Sequence, residues 1–210
     1  MIEPKVSVIM ASYLLPYPGA ASNRDKKFIR AVNSFKKQTY KNKELIIVSD
    51  GCPLTIELYN KFFSNDENIK LLPINKQPLY SGEMRNSGIR VSTGDIISYL
   101  DTDDVLGPKH LQIIVDQFDT DEYDLVYYND YMVLDETFKK LHLRIVEPRW
   151  ASIGTSSISH KNIKGIIDCW SNGYGHDFIY LFKLVSKGVR YKKLDNMPQY
   201  LVAHYYKGDF

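Results

Sequence analysis

In the first half of the chain, short apolar β-branched runs alternate with segments whose apolar positions recur at helical spacing. Residues 5–11 carry Val6, Val8, Ile9 and Met10 and read as a buried strand. Residues 12–23 contain Pro16, Pro18 and Gly19 and read as a loop. Phe28, Ile29, Val32 and Phe35 then line one face of a helix over 25–38. A second strand, 43–49, ends at Asp50-Gly51; a helix follows over 55–63, and a short third strand over 69–72. Helical spacing returns over 80–91, with Met84, Ser87, Gly88 and Val91 on or near one face. The run Ile96-Ile97-Ser98-Tyr99-Leu100, after the turn signal Thr93-Gly94, is a fourth strand.

The second half is less regular. A helix is expected over 108–118, and a tyrosine-rich strand over 125–134 with 141–146 as its partner. Residues 150–159 are rich in Gly, Ser and Thr and suit a binding loop. A helix over 177–187 carries Phe178, Leu181, Phe182 and Val185 as its apolar stripe, and final strands are expected over 189–194 and 200–206. Four alternations of strand and helix imply an α/β fold: a mixed, mostly parallel central sheet, Rossmann-like, with helices on both faces. Chemistry in such sheets gathers at the carboxyl ends of the strands. No repeat or linker interrupts the pattern, so residues 1–210 are expected to form one domain. In that domain a nucleotide-binding half, 1–104, would be followed by a substrate-binding half, 105–210.

Composition narrows the classes. A chain of 210 residues can bury a substantial core. Its net charge of +2 comes from 27 basic and 25 acidic residues spread along it, which argues against a nucleic-acid or anionic-lipid partner. Cys52 and Cys169 form neither a metal-ligand spacing nor a disulfide framework, so a cytoplasmic setting is expected. No apolar run is long enough for a membrane span. The last residues follow directly on a strand-like stretch, so further domains of a longer chain are expected as an option.

The densest chemistry closes the fourth strand. Asp101-Thr102-Asp103-Asp104 places three carboxylates in four residues, and Asp101 and Asp103 point the same way wherever the chain is extended. Carboxylates this close repel unless a positive charge lies between them. Mg2+ or Mn2+ supplies that charge and also holds phosphate oxygens. The plain alternative is a solvated acidic loop.

Four motifs, in order, are Val6-Ser7-Val8-Ile9-Met10-Ala11-Ser12-Tyr13, Leu45-Ile46-Ile47-Val48-Ser49-Asp50-Gly51, Gly82-Glu83-Met84-Arg85-Asn86-Ser87-Gly88 and Tyr99-Leu100-Asp101-Thr102-Asp103-Asp104. Together with Asn172-Gly173-Tyr174-Gly175-His176-Asp177 they resemble the family 2 glycosyltransferases of the GT-A fold, over almost the whole chain. The resemblance implies a nucleotide-sugar donor, a UDP-sugar by default, and a glycan or glycoprotein acceptor. Ala11, Ser12 and Tyr13 would lie against the base, with Asp50 accepting from its N–H groups. Arg85 would face the phosphates, Asp101 and Thr102 the donor, and Asp103 the Mn2+ or Mg2+ ion, with Asp101 and a late histidine, His204, completing the metal shell. Asp177 would deprotonate the acceptor hydroxyl; its other reading is an ordinary helix N-cap. Trp150, Trp170 and Tyr174 are candidate sugar or acceptor platforms, with core packing as their other reading. The sequence departs from the family at two places, with Ser49 and His176 standing where a second acid is usual.

Two other readings share these residues. The strand followed by Asp101-Thr102-Asp103-Asp104-Val105 also fits a haloacid-dehalogenase-like phosphohydrolase with Asp101 as nucleophile. A GT-A scaffold that binds nucleotide or glycan without turnover is the other.

Overall fold

The computed structural model describes residues 3–17, 20, 22–78, 81–118, 121–135, 137–194 and 199–203. The first half alternates as its pattern predicts: β1 (Val6–Ser12), α1 (Arg24–Lys36), β2 (Lys43–Asp50), α2 (Pro53–Phe62), β3 (Ile69–Ile74), α3 (Glu83–Val91) and β4 (Ile96–Tyr99). The second half contains β5 (Val105–Leu106), α4 (His110–Gln117), β6 (Leu125–Tyr127), β7 (Asp130–Val133) and β8 (Leu141–Arg144). It continues through β9 (Ile158–Lys161), α5 (His176–Ser186), β10 (Tyr191–Lys193) and β11 (Tyr200–Val202). Seven strands form the main sheet in the order β10-β6-β9-β4-β1-β2-β3, and β5-β11-β7-β8 form a smaller one.

Every pairing in the main sheet is parallel except those of β9, which runs antiparallel to both β4 and β6. Successive strand residues face opposite sides, so each strand feeds two cores. Val6, Val8, Met10, Leu45 and Ile47 meet Phe28, Val32 and Phe35 of α1 and Leu111 and Ile114 of α4. Ile9, Ile46, Val48, Ile97 and Tyr99 meet Ile89 of α3 and Tyr180, Leu181 and Leu184 of α5. Helices therefore cover both faces. Among the described residues no helix is long and apolar enough to cross a membrane.

The structure corrects four details. The tyrosine-rich run divides at Tyr128-Asn129, sending β6 to the main sheet and β7 to the small one. The expected loop over 150–159 ends in β9, a central strand. Val91 is 47% exposed, and α3 instead buries Arg85, Asn86, Gly88 and Ile89. Phe182 and Val185 lie on the outer side of α5, while Tyr180, Leu181 and Leu184 are buried.

Candidate active site

The carboxyl ends of β1, β2 and β4 open onto a cleft of about 210 Å³. It brings together Ala11, Tyr13, Asp50, Arg85, Asp101, Thr102 and Asp103, with Arg24, Lys76 and His176 on its walls. Ser12 does not join them: its side chain is fully buried and shares a 2.8 Å hydrogen bond with Thr55. His204 lies outside the described residues.

Asp50 ends β2 at 2% exposure, and both of its oxygens have partners. Lys76 Nζ donates to Oδ2 at 2.7 Å and the Gln77 N–H to Oδ1 at 2.6 Å. The Lys76 ammonium also lies 4.3 Å from the centre of the Tyr13 ring, a cation–π contact. Gly51 makes this possible: its φ is +57°, and a Cβ there would stand 2.8 Å from the backbone nitrogen of Lys76. Nothing in the sequence around Lys76 marked it, because a lone lysine after a strand carries no motif.

The segment Gly82–Gly88 divides its labour. Asn86 exchanges two hydrogen bonds with the main chain of Trp170, at 3.0 and 2.9 Å. Gly88 lets α3 approach the sheet, since a Cβ there would meet Ile9 Cγ2 at 2.6 Å. Arg85 is left to face the cleft. Its guanidinium packs over Trp170 at 5.0 Å and donates to Asp101 Oδ1 at 3.2 Å. Trp170 is itself buried, stacked on Tyr180 at 3.9 Å, and its indole N–H donates to Tyr99. Tyr99 in turn bonds His160 at 2.7 Å. Trp170 thus supports Arg85 from beneath and offers no open face to a sugar.

In the acidic turn the three carboxylates have different surroundings. Asp101 is partly exposed and paired with Arg85. Asp103 lines the cleft, and its carbonyl accepts from Arg30. Asp104 is buried: Tyr200 donates its hydroxyl to Oδ2 at 3.0 Å and the Ala203 N–H donates to Oδ1 at 2.8 Å. Burial, followed by the charges of Asp103 and Asp101, pushes its carboxyl well above the usual carboxylate range. The Asp101 N–H donates to the same Tyr200 oxygen at 3.1 Å, so β11 holds the whole turn in place. Among the described residues no three His, Cys, Asp or Glu side chains converge as a ready-made metal cage. Two carboxylates beside an open cleft nevertheless fit Mg2+ or Mn2+, ions that take one or two protein carboxylates and complete their shells with phosphate and water.

A second cleft of about 470 Å³ adjoins the first and shares Tyr17, Arg85, Asp101 and His176 with it. Asp177 and Thr155 lie in its wall, and Thr155 donates its hydroxyl to Asp177 Oδ1. Gly175, at φ +80°, holds the cap position of α5, which places Asp177 in the first turn and removes the N-cap reading. Trp150 is half exposed and packs against Gly175 and Phe178, and Tyr174 is 72% exposed beside the cleft.

A family model described as glycosyl transferase family 2 matches residues 20–185. An uncharacterized glycosyltransferase of Nostoc sp. is 31% identical over 118 residues, which are 56% of this chain and 34% of that protein. The putative glycosyltransferase EpsH of Bacillus subtilis is 28% identical over 148 residues, 70% of this chain and 40% of EpsH. The chain thus spans between a third and two fifths of these relatives' lengths. Among solved structures, S. aureus TarS 1–349 superposes with a TM-score of 0.70 at 17% identity, covering 95% of this chain and 60% of TarS 1–349. The mannosyltransferase PcManGT of Pyrobaculum calidifontis, solved with GDP-Man and Mn2+, gives 0.67 at 15% identity, covering 96% and 57%. A further TarS structure, with a TM-score of 0.69 at 19% identity over 94% of this chain and 58% of that one, contains UDP-GlcNAc. These likenesses establish the GT-A fold, and the family match over most of the chain, joined to the acidic turn, Arg85 and the paired clefts, makes this chain a member of glycosyl transferase family 2.

Proposed function

We propose that the chain transfers a sugar from a nucleotide-sugar donor, a UDP-sugar by preference, to a hydroxyl of a glycan or glycoprotein acceptor in the cytoplasm. One observation carries the reading: a cleft holding Asp50, Arg85, Asp101 and Asp103 opens directly into a second cleft holding Asp177. The first suits a nucleoside diphosphate and the second a polar acceptor. Arg85 would hold phosphate oxygens, a contact for which a planar guanidinium is well shaped. Asp101 and Asp103 would hold Mn2+ or Mg2+. When bound, that cation offsets the charge developing on the departing nucleoside diphosphate. Asp177 would draw the proton from the acceptor hydroxyl, giving inversion at the sugar as the default outcome. Support for the donor class comes from the nucleotide sugars in the TarS and PcManGT structures. The family 2 match over residues 20–185 disfavours the phosphohydrolase reading.

Thermal shift and calorimetry with UDP-, GDP-, CDP- and TDP-sugars, with and without Mn2+, test the donor. UDP-sugars are expected to bind most tightly, and only with the metal. Asp103→Ala is expected to lose the metal-dependent part of that affinity; equal nucleotide affinity with and without Mn2+ in both proteins would refute the metal site. Binding of a UDP-sugar without transfer to a broad acceptor panel would favour a non-catalytic module. Anomer-resolved NMR of the product reports inversion or retention.

A further inference from the structure

His176 lies where the two clefts meet, and its neighbours decide what its ring can do. Its Nδ1 is 3.0 Å from the Gly173 carbonyl. A carbonyl only accepts, so Nδ1 carries a proton and Nε2 presents a lone pair in the neutral ring. The ring packs edge-on against Trp170 at 5.6 Å. The charged groups that bear on it are Arg85 from α3, Asp177 on its own helix and Asp101 from the acidic turn. Burial first, and then Arg85, favours the uncharged ring, while Asp177 and Asp101 pull the other way more weakly. Nε2 stands 3.5 Å from Asp177 Oδ1, which already accepts from Thr155. Two acceptors at that separation, with no proton of their own to share, make a seat for a hydroxyl donor.

We propose that His176 and Asp177 act as a two-residue proton acceptor for the incoming hydroxyl, with His176 Nε2 taking the proton and Asp177 orienting the hydroxyl and steadying the imidazolium. The proposal rests on the glycosyl-transfer reading and sharpens it, moving the final proton site from Asp177 to the neighbouring ring of His176. In water imidazole is more basic than an aspartate carboxylate by about 2.6 pKa units, which favours the ring as the final proton site. In the step, the acceptor O–H bond breaks and its proton passes to Nε2. The freed electron pair forms the bond from the acceptor oxygen to the anomeric carbon. The bond from that carbon to the diphosphate oxygen breaks, and its pair leaves on the nucleoside diphosphate. The imidazolium then returns its proton to water. The residue that replaces the family's usual acid is thereby a working part of the site.

Two measurements test the assignment. Side-chain 15N NMR of the whole chain needs no turnover. It should show His176 neutral and protonated on Nδ1 at pH 7, with an ionisation below 6.5 that falls further in Asp177→Asn. A ring charged at pH 7, or protonated on Nε2 alone, overturns the proposal even where sugar transfer is intact. In the transfer assay His176→Asn keeps a donor for Gly173 but lacks the basic nitrogen. It should lower kcat about 100-fold and abolish the acid limb that tracks the histidine in the wild-type pH profile, with the fold unchanged by circular dichroism. A wild-type rate and an unchanged limb in that variant overturn the role. No transfer by the wild-type chain, with UDP-sugar bound, removes the glycosyl-transfer reading and this proton step with it.

Discussion

Glu44 has 1% of its side chain exposed, yet it carries a charge at the amino end of the sheet, opposite the clefts. Ser7 donates to it at 2.6 Å, Thr93 through both its N–H and its hydroxyl, and the ammonium groups of Lys5 and Lys70 close the cage. Burial alone would raise its pKa. The hydrogen bonds from Lys70, Ser7 and Thr93 outweigh burial and hold the carboxyl well below the usual range. A carboxyl depressed in the folded state contributes stability that is complete above its unfolded pKa of about 4.3 and is lost as pH falls towards the folded value. Glu44→Gln should therefore cost about 2 kcal/mol at pH 7. The difference from wild type, read in urea titrations, should shrink steadily below about pH 4. In the sequence Glu44 is simply an acid beside an apolar run. Its role depends on Ser7 and Thr93, which only the folded sheet brings near.

Among the elements, α3 joins packing to chemistry most tightly. Gly88 faces Ile9 and Val48 on the sheet, and Arg85 lies almost one turn earlier on the same helix. Gly88→Ala gains about 1 kcal/mol of helix propensity. It also forces a methyl to 2.6 Å from Ile9 Cγ2, an overpacking worth about 2–3 kcal/mol. A net loss in the chemical denaturation midpoint is expected, together with a lower kcat as α3 carries Arg85 away from the position proposed for the phosphates. This part of the fold could be read in advance, because strand and helix periods differ and Gly88 interrupts an otherwise good helix. β9 could not. Its Ser159 and His160 are polar yet wholly buried, made tolerable by Ser98, Tyr128, Tyr99 and Tyr180. Hydrophobic patterning does not register polar groups whose partners lie far off in the chain. The division of the tyrosine-rich run has the same cause, since Asp130 is fully buried only because Arg144 and Ser157 meet it. Within the site, the acids and Arg85 were legible as motifs, whereas Lys76 and the proton arrangement of His176 became visible only through their neighbours.

At the scale of the whole molecule, acid should act through two buried imidazoles. His160 is held at about 4 by burial, partly offset by its bond to the Lys161 carbonyl. His110 is held at about 3 by burial between Tyr128 and Tyr200, with no hydrogen-bond partner for either ring nitrogen among the described residues. Both rings are neutral when folded and take up protons on unfolding. Their contribution is complete above about pH 6.5 and is lost as pH falls towards the folded values, with a slope of about 2.7 kcal/mol per pH unit for the pair. Stability measured from pH 8 down to pH 5 should bend downward at that point. His110→Phe, which fills the same space without orphaned nitrogens, should match or exceed wild-type stability at pH 7 and halve the slope.

β9 also ties the first half of the chain to the second. It is hydrogen-bonded on one side to β4, from the first half of the chain, and on the other to β6, from the second. A polypeptide cut after Asp104 would keep every residue expected to hold the donor yet present a bare inner edge where β9 had paired. Such an edge recruits other chains. Dividing the chain there should thus yield aggregates unless β9 travels with the first part.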